Sequence, residues 1–387
     1  MNVPFSALDK QHTRLLPEIF TSLEETFQTA HFILGNPVVE FEKKFADYHK
    51  KSFAIGVNSG TDALILSLRA LKIGEGDEVI TTANTFITTV SSIALVGATP
   101  VMVDIGTDDN IDVNQIEKQI TEKTKAILVV HWTGRPCNME RICRLAQKYN
   151  LEIIEDCAQA VSAKYKGQLV GTFAKIGCFS LHPYKTLNAC GDGGIIITDD
   201  PMLNDRIHAL RQNGLSNDGS CYYWSSNSRL DTIQAAILNI KFKHFEKWTK
   251  RRIEIATHYS EQLKDIPQIV TPPISNDEYH SVFHTYITKA EKRNELKEYL
   301  QTQGIETHIH YQVPIYRQPI AIKTLQCSPK DFPNMEKTSQ HTLSLPIYPE
   351  LSLKQQNYII NEIKTFYSSP IIVEKKENHS SHSLSRV

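Results

Sequence analysis

Between about residues 53 and 210 the chain alternates short apolar runs with amphipathic stretches. The runs are Phe53–Val57, Glu78–Thr81, Val101–Val103, Ala126–His131, Glu152–Glu155, Cys178–Leu181 and Ile195–Thr198. They are rich in valine and isoleucine and bounded by Gly, Pro, Asn or Asp, which predicts buried strands. Asp62–Leu71 and Met139–Lys148 between them carry apolar residues at helical spacing. Strand–helix alternation predicts an α/β fold, a mostly parallel sheet covered by helices on both faces. Such sheets bind ligands beyond the carboxyl ends of their strands.

Beyond this region a helical pattern runs from Leu230 to Leu263 without proline or glycine, and Pro267, Pro272 and Pro273 punctuate a linker. A strand over Val282–Thr288, a helix over Glu291–Gln303, a strand over Glu306–His310 and a helix over Lys354–Phe366 predict a smaller α+β domain. The expected division is a large domain over 1–245, N-terminal segment included, and a small domain over 246–369. Residues 370–387 are polar and are expected to be disordered.

Composition narrows the class. The 387 residues are 41% hydrophobic and 22% charged, with a formal charge of −1, so nothing global calls for nucleic acid or an anionic membrane. The seven cysteines are scattered, odd in number and form no Cys-x-x-Cys pair. That argues against a disulfide framework or metal site and for a reducing cytoplasm. The N-terminus has no basic start followed by an apolar stretch, and no apolar run approaches the ~20 residues of a membrane span.

Three segments carry candidate chemistry. Ile154-Glu-Asp156-Cys-Ala-Gln159 ends a predicted strand with an acid. Asp156 serves equally as a helix cap or as a carboxylate that keeps a pyridine nitrogen protonated; Gln159 suits a ring oxygen or an ordinary loop contact. Cys178-Phe-Ser180-Leu-His182-Pro-Tyr-Lys185 leads into Gly191-Asp-Gly193-Gly194. A lysine there, partly desolvated, has a lowered pKa and is available to condense with an aldehyde, and the Ser180 hydroxyl can reach a phosphate. Val57-Asn-Ser-Gly60-Thr61-Asp62 takes a strand into a helix N-terminus, either a plain N-cap or an anion site. Phe86, after the strand that follows, is core or a ring-stacking face. Lysine, acid and glycine-bounded anion site together are the parts of a pyridoxal phosphate (PLP) site.

These residues resemble the PLP-dependent, fold-type-I sugar aminotransferases of the DegT/DnrJ group. The resemblance runs from Gly35-Asn-Pro-Val-Val-Glu-Phe41 through Asn58-Ser-Gly-Thr-Asp-Ala63 and the segments above. It continues through Asn227-Ser-Arg229-Leu-Asp, Val282-Phe-His284-Thr-Tyr286, His310-Tyr311 and Leu345-Pro-Ile-Tyr-Pro349. It implies that Lys185 binds the cofactor covalently and acts as base and acid, and that Asp156 pairs with the pyridine nitrogen. It implies further that Gln159 flanks the ring oxygen, that Phe86 stacks on the ring, and that Gly60, Thr61 and Ser180 hold the phosphate. Asn227 would reach the phosphate of a neighbouring subunit, making an obligate homodimer with shared sites. His182, Arg229, His284, His310, Tyr311 and Tyr316 are the substrate-contact candidates. Arg229 is a possible contact for a donor carboxylate or a structural ion pair. Glutamate is the implied amino donor and a nucleotide-linked 3-keto or 4-keto sugar the acceptor. Gly-Asp192-Gly-Gly points to carbon 3, His182-Pro183 to carbon 4.

Rival activities make different demands on the chain. Similar sugar dehydratases carry histidine where this chain has Lys185. Another fold-type-I chemistry, such as decarboxylation or carbon–carbon cleavage, fits the same scaffold. A PLP-binding regulator calls for a DNA-binding module, and the first ~50 residues show neither a basic patch nor a helix-turn-helix pattern.

Overall fold

A computed structural model describes residues 1–216 and 218–368; the tail expected to be disordered lies outside them. Seven strands form the main sheet in the order Phe53–Val57, Gly194–Thr198, Ile176–Ser180, Glu152–Asp156, Thr124–Val130, Glu78–Thr82, Thr99–Val103. Only Gly194–Thr198 runs against the others. Continuous burial explains the apolar runs: Ile195, Ile196 and Ile197 are all fully buried, as are Ile127, Leu128 and Val129. Each strand predicted between residues 53 and 210 is present, with ends shifted by no more than two residues.

Helices cover both faces, as expected for an α/β sheet. Gly60–Ala70 presses Ala63, Leu64, Leu66 and Leu68 against one face, together with Ile55, Ile176 and Ile196. On the other, Asn36–His49 and Thr232–Phe242 bring Phe41, Phe45, Ala235 and Leu238 onto Phe179, Ile195 and Ile197. Glu42 on the first of these helices accepts from the Gly56 N–H at 2.7 Å and from Arg211 at 2.6 Å, tying an outer helix to the edge strand.

The single helix expected over Leu230–Leu263 is two, Thr232–Phe242 and Phe245–Leu263. No proline or glycine causes the break. The Phe242 and Phe245 rings lie 4.8 Å apart and both pack on Tyr48. Lys243 and His244 form a turn between the two helices, and the rings on either side of it share one packing site. Past the bend, Ile255, Ala256, Tyr259 and Leu263 enter a second core with Leu296, Leu300, Leu343, Ile359 and Ile363. That core is built on a three-stranded antiparallel sheet, Ile269–Val270, Tyr286–Ala290 and Thr342–Leu345, and on helices Arg293–Thr302 and Leu353–Ser368.

Three further expectations change here. The strand expected over Val282–Thr288 occupies Tyr286–Ala290; Phe283, at φ 50°, breaks the extended run before it. Glu306–His310 is not a strand: only His308 bridges to Ser344, and the alternating polar residues suit a wall with one side open. Finally, the N-terminal segment, expected within the large domain, sends Val3 and Ala7 into the second core, where Val3 bridges to Ile305. Burial of these apolar residues outweighs proximity in sequence.

Candidate active site

The carboxyl ends of the parallel strands and the amino end of Gly194–Thr198 converge on one cavity of about 320 Å³. Its wall brings together Gly60, Thr61, Phe86, Asp156, Gln159, Ser180, His182, Lys185, His284, His310 and Tyr311. These residues come from six separate stretches of sequence, which only the folded chain makes neighbours.

Asp156 closes the central strand and is 5% exposed. Its Oδ1 accepts from the Ala158 N–H at 3.0 Å and its Oδ2 from the Thr89 hydroxyl at 2.9 Å. Thr89 in turn shares a 2.7 Å hydrogen bond with Thr85. Burial pushes the Asp156 carboxyl above its ordinary value, against the pull of those two donors, of Lys185 and of His131. A cation brought to Oδ2 would reverse that balance.

The residue before it fixes the strand end. Glu155 is fully buried, and its carboxylate accepts from the N–H groups of Gly171, Phe173 and Ala174 at 2.7 to 2.8 Å. His131 takes the Cys137 N–H on Nδ1 at 3.1 Å, which leaves Nε2 to donate to Glu155 at 3.1 Å. Gly171 bends at φ 84° to wrap this carboxylate, a conformation open to glycine without strain. His131, Glu155 and Cys157 stand close enough to share an ion, but the histidine and carboxylate are committed to these hydrogen bonds.

Lys185 follows a tight turn in which its N–H donates to the His182 carbonyl at 2.8 Å, and its carbonyl accepts from Asn188 Nδ2 at 2.9 Å. Burial pulls its ammonium down to about 8, although Asp156 draws it the other way. Gln159 accepts the Thr133 N–H on Oε1 at 2.7 Å; its amide NH₂ is thereby the end left to donate to a ligand oxygen. Phe86 is 51% exposed at the start of helix Ile87–Leu95, its ring 5.5 Å from that of Tyr311. An aromatic face left this open offers a surface for a flat ligand.

The anion end of the cavity is a backbone cradle. Ser59 caps helix Gly60–Ala70 by accepting the Asp62 N–H at 3.0 Å, so the Gly60 and Thr61 N–H groups head an uncompensated first turn. Space there is tight. A Cβ on Gly60 would stand 2.7 Å from Ser180 Cβ, and one on Gly194 only 2.2 Å from the Ser59 carbonyl oxygen. These contacts fit a phosphate seated on backbone, with the Ser180 hydroxyl beside it. Gly194→Ala is therefore expected to push the Ser59–Gly60 turn aside and weaken PLP binding by roughly tenfold or more, about 1.4 kcal/mol. Fluorescence titration of the apo-protein with PLP measures this.

The wall that carries the histidines is less polar than they suggest. Among the described residues His284 Nδ1 is buried without a partner, and burial, then Lys185 and Arg252, hold the ring well below its ordinary value. His310 is pulled down to about 4 by burial, then by His308 and Lys185, and its Nδ1 meets Ser344 Oγ at 2.7 Å. Both are neutral rings, able to donate or accept toward hydroxyls. His182 is exposed at the rim, lowered by burial and by Lys185. Tyr311 is half-buried among Phe86, Trp132 and His310.

Three candidates lie elsewhere. Tyr316 is fully buried outside the cavity, stacked on Phe332 at 4.8 Å and donating to Glu336 at 2.9 Å. Its short helix, Ile315–Arg317, needs an anchor, and the tyrosine supplies it. Tyr316→Phe is expected to cost about 1 kcal/mol of stability and to leave kcat within twofold; thermal melting and steady-state rates check both. Asn227 and Arg229 stand on a segment beside Val57 and Gln212, and neither lines the cavity of this chain; Asn227 is exposed. Conversely, Thr85, Thr89, Thr133, Glu155 and His131 were not picked out from sequence. Threonines carry no distinguishing pattern, and Glu155 differs from Asp156 only in which side of the strand it faces.

Residues 14–364 match the DegT/DnrJ/EryC1/StrS aminotransferase family. The chain is 42% identical to a "pleiotropic regulatory protein" of Geobacillus stearothermophilus, over 95% of this chain and 99% of that one. It is 40% identical to a dTDP-3-amino-3,6-dideoxy-alpha-D-galactopyranose transaminase of Aneurinibacillus thermoaerophilus, over 94% and 99%. Among solved structures, DesV of S. venezuelae in complex with a ketimine intermediate superposes with a TM-score of 0.93 at 35% identity, covering 96% of this chain and 100% of that one.

Proposed function

The chain belongs to the DegT/DnrJ/EryC1/StrS aminotransferase family, and from that membership we propose that it moves the amino group of L-glutamate to carbon 3 of a nucleotide-linked keto sugar. It is a PLP-dependent sugar aminotransferase. The observation that carries the reading is the convergence of Lys185, Asp156 and the Gly60–Ser180–Gly194 cradle on one cavity. Amination at carbon 3 rests on the Aneurinibacillus relative, whose name specifies a 3-amino sugar, and on Asp192 within the glycine cluster.

Bound PLP supplies an electron sink for the carbon acid of the amino donor. The protein's part is to place and protonate. Asp156, in the cavity wall, would hold a ring N–H, with Thr89 and the Ala158 N–H fixing the orientation of its carboxylate. Gly60, Thr61 and Ser180 would hold the phosphate, Phe86 one ring face and the Gln159 NH₂ the ring oxygen. Lys185 Nζ is placed to take the proton from the donor's alpha carbon and to return it elsewhere, first base and then acid. A pKa of about 8 suits both roles near neutral pH. His284 and His310, as neutral rings, orient sugar hydroxyls.

We also place Asn227 in the site of a second copy of the chain. It is exposed beside Tyr222 (63% exposed) and Trp224 (91% exposed), aromatic surface of the kind that partners cover.

The deciding experiment is spectroscopic. L-glutamate should bleach the visible cofactor band of the purified protein. A 3-keto nucleotide sugar should then restore the band, and its 4-keto isomer should fail to. Restoration by the 4-keto sugar alone moves the amination site. A band indifferent to amino donors rejects the transaminase reading and leaves the regulatory role that the Geobacillus relative's name raises.

A further inference from the structure

Strands Tyr286–Ala290 and Thr342–Leu345 end their ladder at the edge of the cavity, with Tyr286 opposite Leu345. Ser344 turns its own N–H and carbonyl outward to His308. By the alternation of antiparallel bonding, His284 and Ile347 are then the next pair in register to exchange bonds. They do not. Phe283, at φ 50°, turns the chain, and the His284 N–H donates instead to the Thr133 carbonyl at 2.9 Å. Arg252 stands in for the missing exchange. Its Nη1 donates to the Ile347 carbonyl at 2.7 Å and to the His284 carbonyl at 3.3 Å.

Arg252 belongs to helix Phe245–Leu263 and is 9% exposed. Burial pulls its pKa down to about 10, although Glu350 acts the other way. Among the described residues its hydrogen bonds go to main-chain carbonyls and none to a carboxylate. A guanidinium held in this way costs more in desolvation than a neutral donor would. What it adds is position. His284 is gripped at both ends of its backbone, at the N–H by Thr133 and at the carbonyl by Arg252, and Thr133 is itself anchored on Gln159 Oε1 at 2.7 Å. The ring so placed lines the cavity, and its buried Nδ1 has no partner among the described residues. A buried polar atom left open on a fixed frame is set to meet a ligand group.

We propose that Arg252 is a positioning residue for the acceptor half of the reaction, acting through His284, whose ring it holds at the cavity wall. The proposal rests on the reading of His284 as a contact for sugar hydroxyls. Arg252 itself touches neither substrate nor cofactor site; it does not line the cavity. The donor half depends on residues held by other means. Asp156 is fixed by Thr89 and the Ala158 N–H, and Lys185 by its own turn and by Asn188. Loss of Arg252 therefore frees the His284 backbone and leaves the groups that handle the amino donor in place.

The test separates the two half-reactions of the holoenzyme by single-turnover absorbance. The acceptor probe is a 3-keto nucleotide sugar or its 4-keto isomer, whichever restores the wild-type band. Arg252→Met should slow that restoration roughly 10- to 100-fold, the scale of a misplacement near 1 Å, and leave bleaching by L-glutamate within about twofold. Arg252→Lys should recover most of the loss, since both bonds come from one nitrogen and an ammonium can make them. Added to His284→Ala, Arg252→Met should cost nothing beyond what His284→Ala costs alone, because its effect passes through that ring. Equal slowing of both half-reactions, losses that add in the double variant, or a His284→Ala that leaves the acceptor half untouched each overturn the proposal. If Arg252→Met fails to fold in thermal melts, Arg252→Gln, which keeps one donor arm, decides by the same selective loss. A wild-type band that ignores glutamate rejects the transaminase reading and this inference with it. Normal wild-type bleaching beside an Arg252→Met unchanged in both halves rejects the inference alone.

Discussion

Lys185→Ala abolishes amino transfer, by about 10⁴-fold or more, while the protein still folds. General acid–base catalysis alone contributes roughly 10² to 10⁴, and, on the proposed role of Lys185, loss of the amine that would condense with the cofactor adds to it. Folding should not suffer, because the native state holds this ammonium against its desolvation: burial pulls it down to about 8, far from the ~10.4 of a free lysine. The same shift sets the pH dependence in the wild type. Only the neutral amine condenses with an aldehyde, so condensation of the apo-protein with PLP should rise with pH and reach half its maximum near 8. Stopped-flow absorbance gives that midpoint, and single-turnover assays with matched melting curves give the rest. A variant that turns over at the wild-type rate would dismiss Lys185 as the catalytic base.

Asp156→Asn should lower kcat by roughly 10² to 10³, the usual scale for removing one preorganised electrostatic partner of a reacting system. Asparagine is the informative replacement. Its oxygen can still accept either the Ala158 N–H or the Thr89 hydroxyl, and the strand end stays anchored through Glu155. What goes is the negative charge and with it the preference for a protonated ring. Both half-reactions should slow together, since each needs the same electron sink. A loss confined to PLP affinity, with kcat within threefold, would make Asp156 a binding residue only.

How much of this was legible in the chain depended on the kind of signal. Strand–helix alternation located the sheet because fully buried strands read as unbroken apolar runs; Ile195, Ile196 and Ile197 need no partner to be recognised. The cavity residues that stood out were those whose type is unusual for its place: a lysine before a glycine cluster, an acid at a strand end. Tyr316 misled because an aromatic residue near a sugar site and an aromatic residue in a core look alike until Phe332 and Glu336 are seen beside it. The helix break at Lys243–His244 left no local mark, since neither proline nor glycine stands there. Thr89 and Thr133 act through tertiary hydrogen bonds that no spacing encodes.

The lone antiparallel strand has a consequence for how the chain is made. Gly194–Thr198 pairs on one side with Phe53–Val57 and on the other with Ile176–Ser180. During synthesis the early strand leaves the ribosome long before its neighbour exists, and until then its hydrogen-bonding edge is unpaired. Such an edge recruits other nascent chains. The backbone cradle proposed for the phosphate shares this late closure, since Gly194 packs on the Ser59 carbonyl only once the strand is in place. Growth medium rich in vitamin B6 should therefore raise the yield of completed protein by capturing finished molecules, and do nothing for chains truncated before Gly194.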